Sequence, residues 1–363
     1  MLQEYFKDNL DSFQSKAEIQ KLTFYPMMFQ AARVIRSTGI LKAIYQKKKQ
    51  GISSEEVANN LKLPYYGVNT LLEAGLTIGL VYLKEEGRYT ITKMGYYLLN
   101  DESTRINLNF THDVCYKALY HLEESIKKEN PIGLKEIGLE KYSTIYPGLA
   151  ELPEPIKTSW FEFDHYFSDG AFPSALKIVF KDNPKHIVDI GGNTGKWSVE
   201  CCKFDENVKM TIIDLPGQLN KAKENIKKMD LQNRISGIEG DVLSDNLELP
   251  KEVDTVWMSQ FLDCFSEEQI VKILTNISNK IDENTSVYIL ELFWDRQKDI
   301  AAAYCLHATS LYFTAVANGN SKMYHSKDLY RAIEQAGLEV VFDEDQVGEF
   351  HTILKCIKKK SQS

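Results

Sequence analysis

No two of the six cysteines, Cys115, Cys201, Cys202, Cys264, Cys305 and Cys356, stand at CxxC spacing. That removes the zinc ribbon and the redox dithiol as readings. Adjacent Cys201 and Cys202 fit one helix, where neighbours point apart, and reduced thiols in a cytoplasmic protein are expected. There is no repeat and no low-complexity tract. With 20 Gly and 10 Pro in 363 residues, collagen-like and Pro/Gly-rich disordered chains are excluded. A basic excess is lacking too: 43 Lys and Arg face 51 Asp and Glu, a net charge of −8. Binding to nucleic acid or to an anionic membrane needs clustered cations, so neither partner is expected. The first residues carry acids where a signal peptide needs cations, and no apolar run follows. Charge is scarce in two stretches, 63–83, interrupted only by Glu73, and 300–321, which has none. Pro64, Gly67, Gly75 and Gly79 break the first, and His307, Asn318 and Asn320 lie in the second. Both are expected to be buried helices rather than membrane spans.

What is present, 43% hydrophobic and 26% charged residues, describes a globular chain of roughly two domains. Residues 20–100 read as short helices and a small hairpin. Ser53 or Ser54 caps a helix with Glu55 and Glu56 in its first turn. Pro64 opens the next, with Val68, Leu71, Leu72 and Leu76 on one face and Gly79 ending it. Residues 81–83, a Glu85–Arg88 turn and 89–92 read as strand, turn and strand. Two helices followed by such a wing make a winged-helix pattern. A DNA-reading version would place cations on its second helix, yet 63–83 contain no Lys or Arg. Residues 104–180 are helical and rich in aromatics, interrupted near Pro131 and at 152–155. Beyond 181, strands at 186–190, 208–213, 235–239, 255–258, 286–290, 339–342 and 351–356 alternate with helices. That alternation predicts an α/β fold, a Rossmann-like, doubly wound, mostly parallel seven-stranded sheet. An antiparallel pair would close one edge. The division is thus 1–103, 104–180 and 181–363.

The sharpest signal is Val188-Asp-Ile-Gly191-Gly192-Asn193-Thr-Gly195, which follows an apolar strand and opens a helix. A glycine-rich first turn lets backbone approach a ligand. Asn193 is the non-glycine residue that best tolerates left-handed dihedrals. The second strand ends in Asp214-Leu215, placed to accept from ribose hydroxyls. The third leads into Gly240-Asp241-Val242, another acid at the same rim. Three successive strands therefore deliver Gly191, Asp214 and Asp241 to the carboxyl edge, where open sheets bind ligands. The turn lacks GxGxxG and no GK[ST] follows, so a nucleoside site is favoured over dinucleotide or triphosphate sites.

DIGGNTG, IIDLP and GDV, in this order, resemble class I S-adenosyl-L-methionine-dependent methyltransferases. More narrowly, the chain resembles the small-molecule O-methyltransferases, whose helical winged-helix domain mediates dimerisation. GIL…ISSEEVANNLKL…LLEAGLTIGLVY…GRYTITKMGYYLL and the stretch from Tyr324 to Gly337 carry that likeness. The resemblance implies a homodimer, S-adenosyl-L-methionine as cofactor and a small hydroxylated acceptor; a cytoplasmic location and no metal are expected. It places Gly191, Gly192 and Asn193 against the methionine portion and Asp214 with Leu215 at the ribose. Asp241 and Val242 fall beside the adenine. Ser259 or Gln260 stands where the family commonly has Lys.

The family's general base is a His in L-H-D-W-S-D-E. Here the run is Leu262-Asp263-Cys264-Phe265-Ser266-Glu267-Glu268, so Asp263 takes its place. An Asp of pKa about 3.9 is a weak base for an alkanol and suits an acidic phenol or enol better. Burial would raise it. Asp263 as a helix cap competes with this role, but Ser266 fits the cap better. Glu291 matches the family's base-orienting acid, and Tyr324 stands where a further acid is usual. His307, and less so His165, are alternative bases. The expected chemistry is in-line methyl transfer to oxygen. N- or C-methylation remains an alternative, as does use of the cofactor without methyl transfer in a decarboxylase- or hydroxylase-like reaction.

Overall fold

The computed structural model describes Tyr5 and residues 7–360, apart from the side chain of Glu86. Most of the leading segment read above for a signal peptide is described, but Met1–Glu4 and Phe6 lie outside. The described chain forms two compact units that divide between Thr111 and His112.

The first unit holds α1 (Ser12–Ser37), α2 (Ile40–Gln46), α3 (Ser54–Leu61), α4 (Tyr65–Thr77), strands β1 (Val81–Leu83) and β2 (Tyr89–Ile91), α5 (Lys93–Asn100) and α6 (Glu102–Phe110). Ser53 caps α3 in a reciprocal box with Glu56, a motif that satisfies two otherwise orphaned amides. β1 and β2 pair antiparallel, and Ile52, Val57, Leu72 and Val81 fill the core. The 63–83 stretch is not one buried helix. It is α4, a turn at Gly79 with φ of 78°, and β1, and it leaves Tyr65, Tyr66, Tyr82 and Leu83 exposed. α1, 26 residues long with Pro26 inside it, was not foreseen, because its apolar residues form no clean stripe. Phe13, Ile19, Leu22, Phe24 and Met27 of α1 are exposed.

The second unit contains α7 (Leu122–Lys128), α8 (Ile156–Val179), α9 (Lys196–Phe204), α10 (Pro216–Lys228), α11 (Glu267–Ser278), α12 (Ile300–Tyr312) and α13 (Ser326–Gln335). Its strands are β3 (His186–Ile190), β4 (Lys209–Asp214), β5 (Ile235–Glu239), β6 (Thr255–Ser259), β7 (Ser286–Glu291), β8 (Leu338–Val347) and β9 (His351–Lys358). They form a seven-stranded sheet in the order β5-β4-β3-β6-β7-β9-β8. The first five run parallel, and β9 is antiparallel to both β7 and β8. Alternate residues feed two cores. Val188, Ile190, Val256 and Met258 pack with α11 and α13. Ile187, Met210, Ile212 and Trp257 pack with α8, α9 and α10. The stacked rings of Trp197 and Trp257, centroids 3.9 Å apart, join α9 to β6. Burial on both faces explains the continuous apolar runs of the central strands.

β8 runs through Leu338–Val347, well beyond the expected 339–342. Exposed Glu339, Asp343, Glu344 and Asp345 interrupt its apolar pattern. No helix links β5 to β6. α12 is not the buried helix expected. Ile300–Ala317 has a mean hydropathy of 1.4 and is long and apolar enough to cross a membrane by length and composition, yet only 39% of it is buried.

Candidate active site

Register places the site. Ile190 lies opposite Ile213 and Met258, and Asp214 opposite Glu239. The turns leaving β3, β4, β5 and β6 therefore open at one rim, above a cavity of about 430 Å³. That is the size range of small-molecule and cofactor sites. Of the residues expected from sequence, Gly191, Asn193, Asp214, Leu215, Asp241, Val242 and Gln260 line it, while Gly192, Ser259, Asp263, Glu291 and His307 do not; Asp263 lies directly beside the lining residue Cys264.

The turn after β3 is built for close approach. Gly191 has φ of 71°, and a Cβ there would lie 2.2 Å from the Phe261 ring. Gly192 supports the turn from behind, where a Cβ would meet the Asp189 carboxylate at 2.8 Å. Asn193 adopts the left-handed conformation expected of it, with φ of 49°. Its backbone N–H donates to Asp214 Oδ2 at 2.8 Å, and Leu215 N–H donates to Oδ1 at 2.7 Å. Asp214 is thus fixed by backbone on both oxygens, with lone pairs left for the cavity. Burial raises its pKa to about 6, against the pull of those two amides. Asp241 accepts from Leu243 N–H at 2.9 Å and is exposed at the rim, beside buried Val242. Gln260 has φ of 44°, and its Oε1 lies 3.1 Å from Nε2 of buried His351. Burial lowers the pKa of His351 to about 4, so a neutral ring donates there. Ser259 Oγ is buried without a hydrogen-bond partner.

Behind the opposite wall lie two carboxyls. Asp263 is 6% exposed, in a single turn at Leu262–Cys264. It does not cap α11. Ser266 does, through a capping box with Gln269. Burial pushes Asp263 up to about 6, opposed by the Cys264 thiol, which donates at 3.5 Å, and by backbone amides. Glu291, at the end of β7, accepts through Oε1 from Phe261 N–H at 3.0 Å and Leu262 N–H at 2.8 Å. Its Oε2 is buried without a partner. Burial first, and the Asp263 charge second, hold it well above the carboxylate range. Tyr324 is buried and donates to the Phe265 carbonyl at 2.5 Å, a structural bond to the same loop.

His307 is not brought to this cavity. It lies on the exposed side of α12, its ring 4.9 Å from that of Trp294 and bordering a different surface pocket with His325. α12 turns this part of its surface outward, so an apolar sequence context did not mean a pocket. His165 also lies off the lining and stacks on Phe161.

Sequence reasoning missed Tyr146, Asp164 and Asn318. Tyr146 sits beside the Cys264 thiol. Asn318 Nδ2 donates to the Cys264 carbonyl at 2.6 Å, tying the segment after α12 to the loop of Asp263. Asp164, on α8, lines the cavity and accepts from Asn193 Nδ2 at 3.1 Å. Within the aromatic run of α8, only Trp160 and Asp164 line the cavity. No motif marks these residues. Among the described residues no cluster suited to a metal ion occurs.

Residues 14–89 match the model of a Dimerisation2-like domain, and residues 174–338 that of an O-methyltransferase domain. The 3-hydroxy-5-methyl-1-naphthoate 3-O-methyltransferase of Streptomyces sahachiroi is 31% identical over 114 residues, 31% of this chain and 32% of that protein. O-methyltransferase 7 of Dictyostelium discoideum is 24% identical over 182 residues, 50% of each chain. The chain thus spans a third to a half of these curated relatives. The apo structure of the S-adenosylmethionine-dependent methyltransferase SibL superposes with a TM-score of 0.72 at 20% identity, covering 94% of this chain and 99% of that one. The second unit therefore has the class I methyltransferase fold.

Proposed function

We propose, from the premise that the chain belongs to the S-adenosylmethionine-dependent O-methyltransferase family, that it methylates a hydroxyl of a small, flat aromatic or enolic acceptor. The observation that carries this reading is Asp214. A carboxylate held by two backbone amides at a glycine turn fits the paired hydroxyls of a ribose. Gly191 and Asn193 would lie along the methionine portion, and Asp241 with Val242 at the adenine. S-adenosyl-L-methionine supplies an electrophilic methyl group on a sulfonium.

The chain's part is positioning and proton removal. Trp160, Phe265 and Leu149 give the cavity its apolar walls, which exclude water and hold the acceptor near attack geometry. Such positioning supplies much of the rate of a bimolecular transfer. As the new carbon–oxygen bond forms and the carbon–sulfur bond breaks, the hydroxyl proton passes to Asp263. Glu291 fixes the backbone of that loop by accepting from two of its amides. A pKa of about 6 makes Asp263 a better base near neutrality than an ordinary aspartate and matches a phenol or enol more closely than an alkanol.

The same reading assigns residues 1–103 to dimerisation, 104–180 to linking and acceptor lining, and 181–363 to the cofactor and the chemistry. The exposed apolar side chains of α1 support a homodimer, which light scattering would measure as twice the 41.6 kDa chain mass. Six free cysteines fit a cytoplasmic location.

Calorimetry with S-adenosylhomocysteine tests the core claim. Wild-type protein should bind, and Asp214→Ala should weaken binding roughly tenfold or more, because buried ribose hydroxyls lose their acceptor. No heat from wild-type protein with either the cofactor or its demethylated product overturns the reading.

A further inference from the structure

We propose that Asp164 holds the α-ammonium of the cofactor's methionine portion, an ionic anchor on α8 outside the sheet-edge motifs. The inference rests on the cofactor reading above.

One residue links two carboxylates that face the cavity. Asn193 gives its backbone N–H to Asp214 Oδ2 and its side-chain Nδ2 to Asp164 Oδ2, at 2.8 and 3.1 Å. If Asp214 takes the ribose, Asp164 lies on the other side of the same turn, where the amino-acid end of the ligand falls. Among the described residues Asp164 Oδ1 accepts no hydrogen bond, and about a third of the side-chain surface remains open, 31%.

The surrounding charge calls for a cation. Asp263 and Asp169 both act on Asp164 as like charges, and the nearest opposing one is Lys196. Lys196 is already bonded to Asp169 at 2.5 Å. No Lys or Arg lines the cavity among the described residues. A carboxylate in that field, enclosed by Trp160 and Tyr146, gains most from a ligand that brings its own positive charge. The adenine and ribose carry none at neutral pH; of the cofactor's two cations, the sulfonium and the methionine ammonium, only the ammonium can donate a hydrogen bond to a carboxylate, and S-adenosylhomocysteine keeps the ammonium alone.

The test pairs a protein change with a ligand change. Asp164→Asn keeps shape and the Asn193 contact while removing charge. Its affinity is measured by calorimetry for S-adenosylhomocysteine and for the analogue lacking only the α-amino group. Wild type should bind the amino-bearing ligand roughly 10- to 100-fold more tightly than the deaminated one, as for a charge-assisted hydrogen bond. In Asp164→Asn that preference should collapse to within about twofold, with affinity for the deaminated ligand nearly unchanged. An equal loss for both ligands, or a preference that survives the substitution, overturns the proposal and leaves Asp164 a positioning residue for Asn193. Wild type that binds neither ligand overturns the cofactor reading itself, a different result. Asp164→Ala, assayed alongside, must show the same loss of preference; its melting temperature reports whether the fold is kept.

Discussion

The two ends of the cavity solve opposite problems. At the rim of β3, β4 and β5, carboxylates are positioned by backbone: Asp214 by two amides, and Asp241 by its own turn. Those contacts depend on strand register and on a few residues tolerant of positive φ, so the arrangement is rigid and local. At the wall below β6 and β7, Asp263 and Glu291 are buried, crowd each other, and are both shifted upward. Under the proposed function, the first arrangement fixes binding geometry and the second tunes proton affinity. The family's imidazole does this second job with one residue. In the mechanism proposed above Asp263 takes that job, its carboxyl raised by desolvation.

The contrast can be broken at either end. The largest effect is expected at the rim. Gly191→Ala puts a methyl 2.2 Å from the Phe261 ring at a φ of 71°. The turn must then shift, and affinity for S-adenosylhomocysteine should fall at least about 100-fold by calorimetry, more than one lost hydrogen bond would cost. Retained affinity would mean that the turn is not the cradle. At the wall, Asp263→Asn should reduce kcat by roughly 10²- to 10⁴-fold, the usual share of a general base, and leave cofactor affinity alone. In wild type the rate should fall as pH drops through about 6, because the base is lost when the raised carboxyl of Asp263 takes up a proton. The variant should lose that limb. A pH profile unchanged by the substitution would remove Asp263 from proton transfer. The smallest effect is expected off the cavity: His307→Ala should stay within about twofold of wild-type turnover, and a larger loss would show that α12 contributes to the chemistry.

The rim was legible because its signals are short-range. Strands at 186–190 and 235–239 are bounded by turn residues, so their limits were readable to the residue. Asn193 was readable because few side chains tolerate its dihedrals. Ser266 was readable as a cap because the box is a three-residue pattern. The wall was legible only as a departure from the family's run. Asp263 could be named, but the upward shift of Glu291 comes from burial that no spacing reports. Asp164 was invisible, because its link to Asn193 crosses 29 residues of chain and its neighbours in sequence are aromatics. His307 misled for the converse reason. An uncharged sequence context implied enclosure, while α12 carries exposed apolar residues such as Tyr304, at 67%.

The last feature to weigh is the outer strand. β8 is bonded on one side only, and an open row of amides and carbonyls invites a second copy to extend the sheet. Two register shifts, between Val340 and Phe342 and between Asp345 and Val347, bend that border. Exposed Glu339 and Glu344, and Asp343 and Asp345 that share the single cation of Arg296, make a matching strand from another molecule electrostatically unwelcome. Strand addition is thereby discouraged, and concentrated protein should stay free of fibrils until that acidic fringe is neutralised.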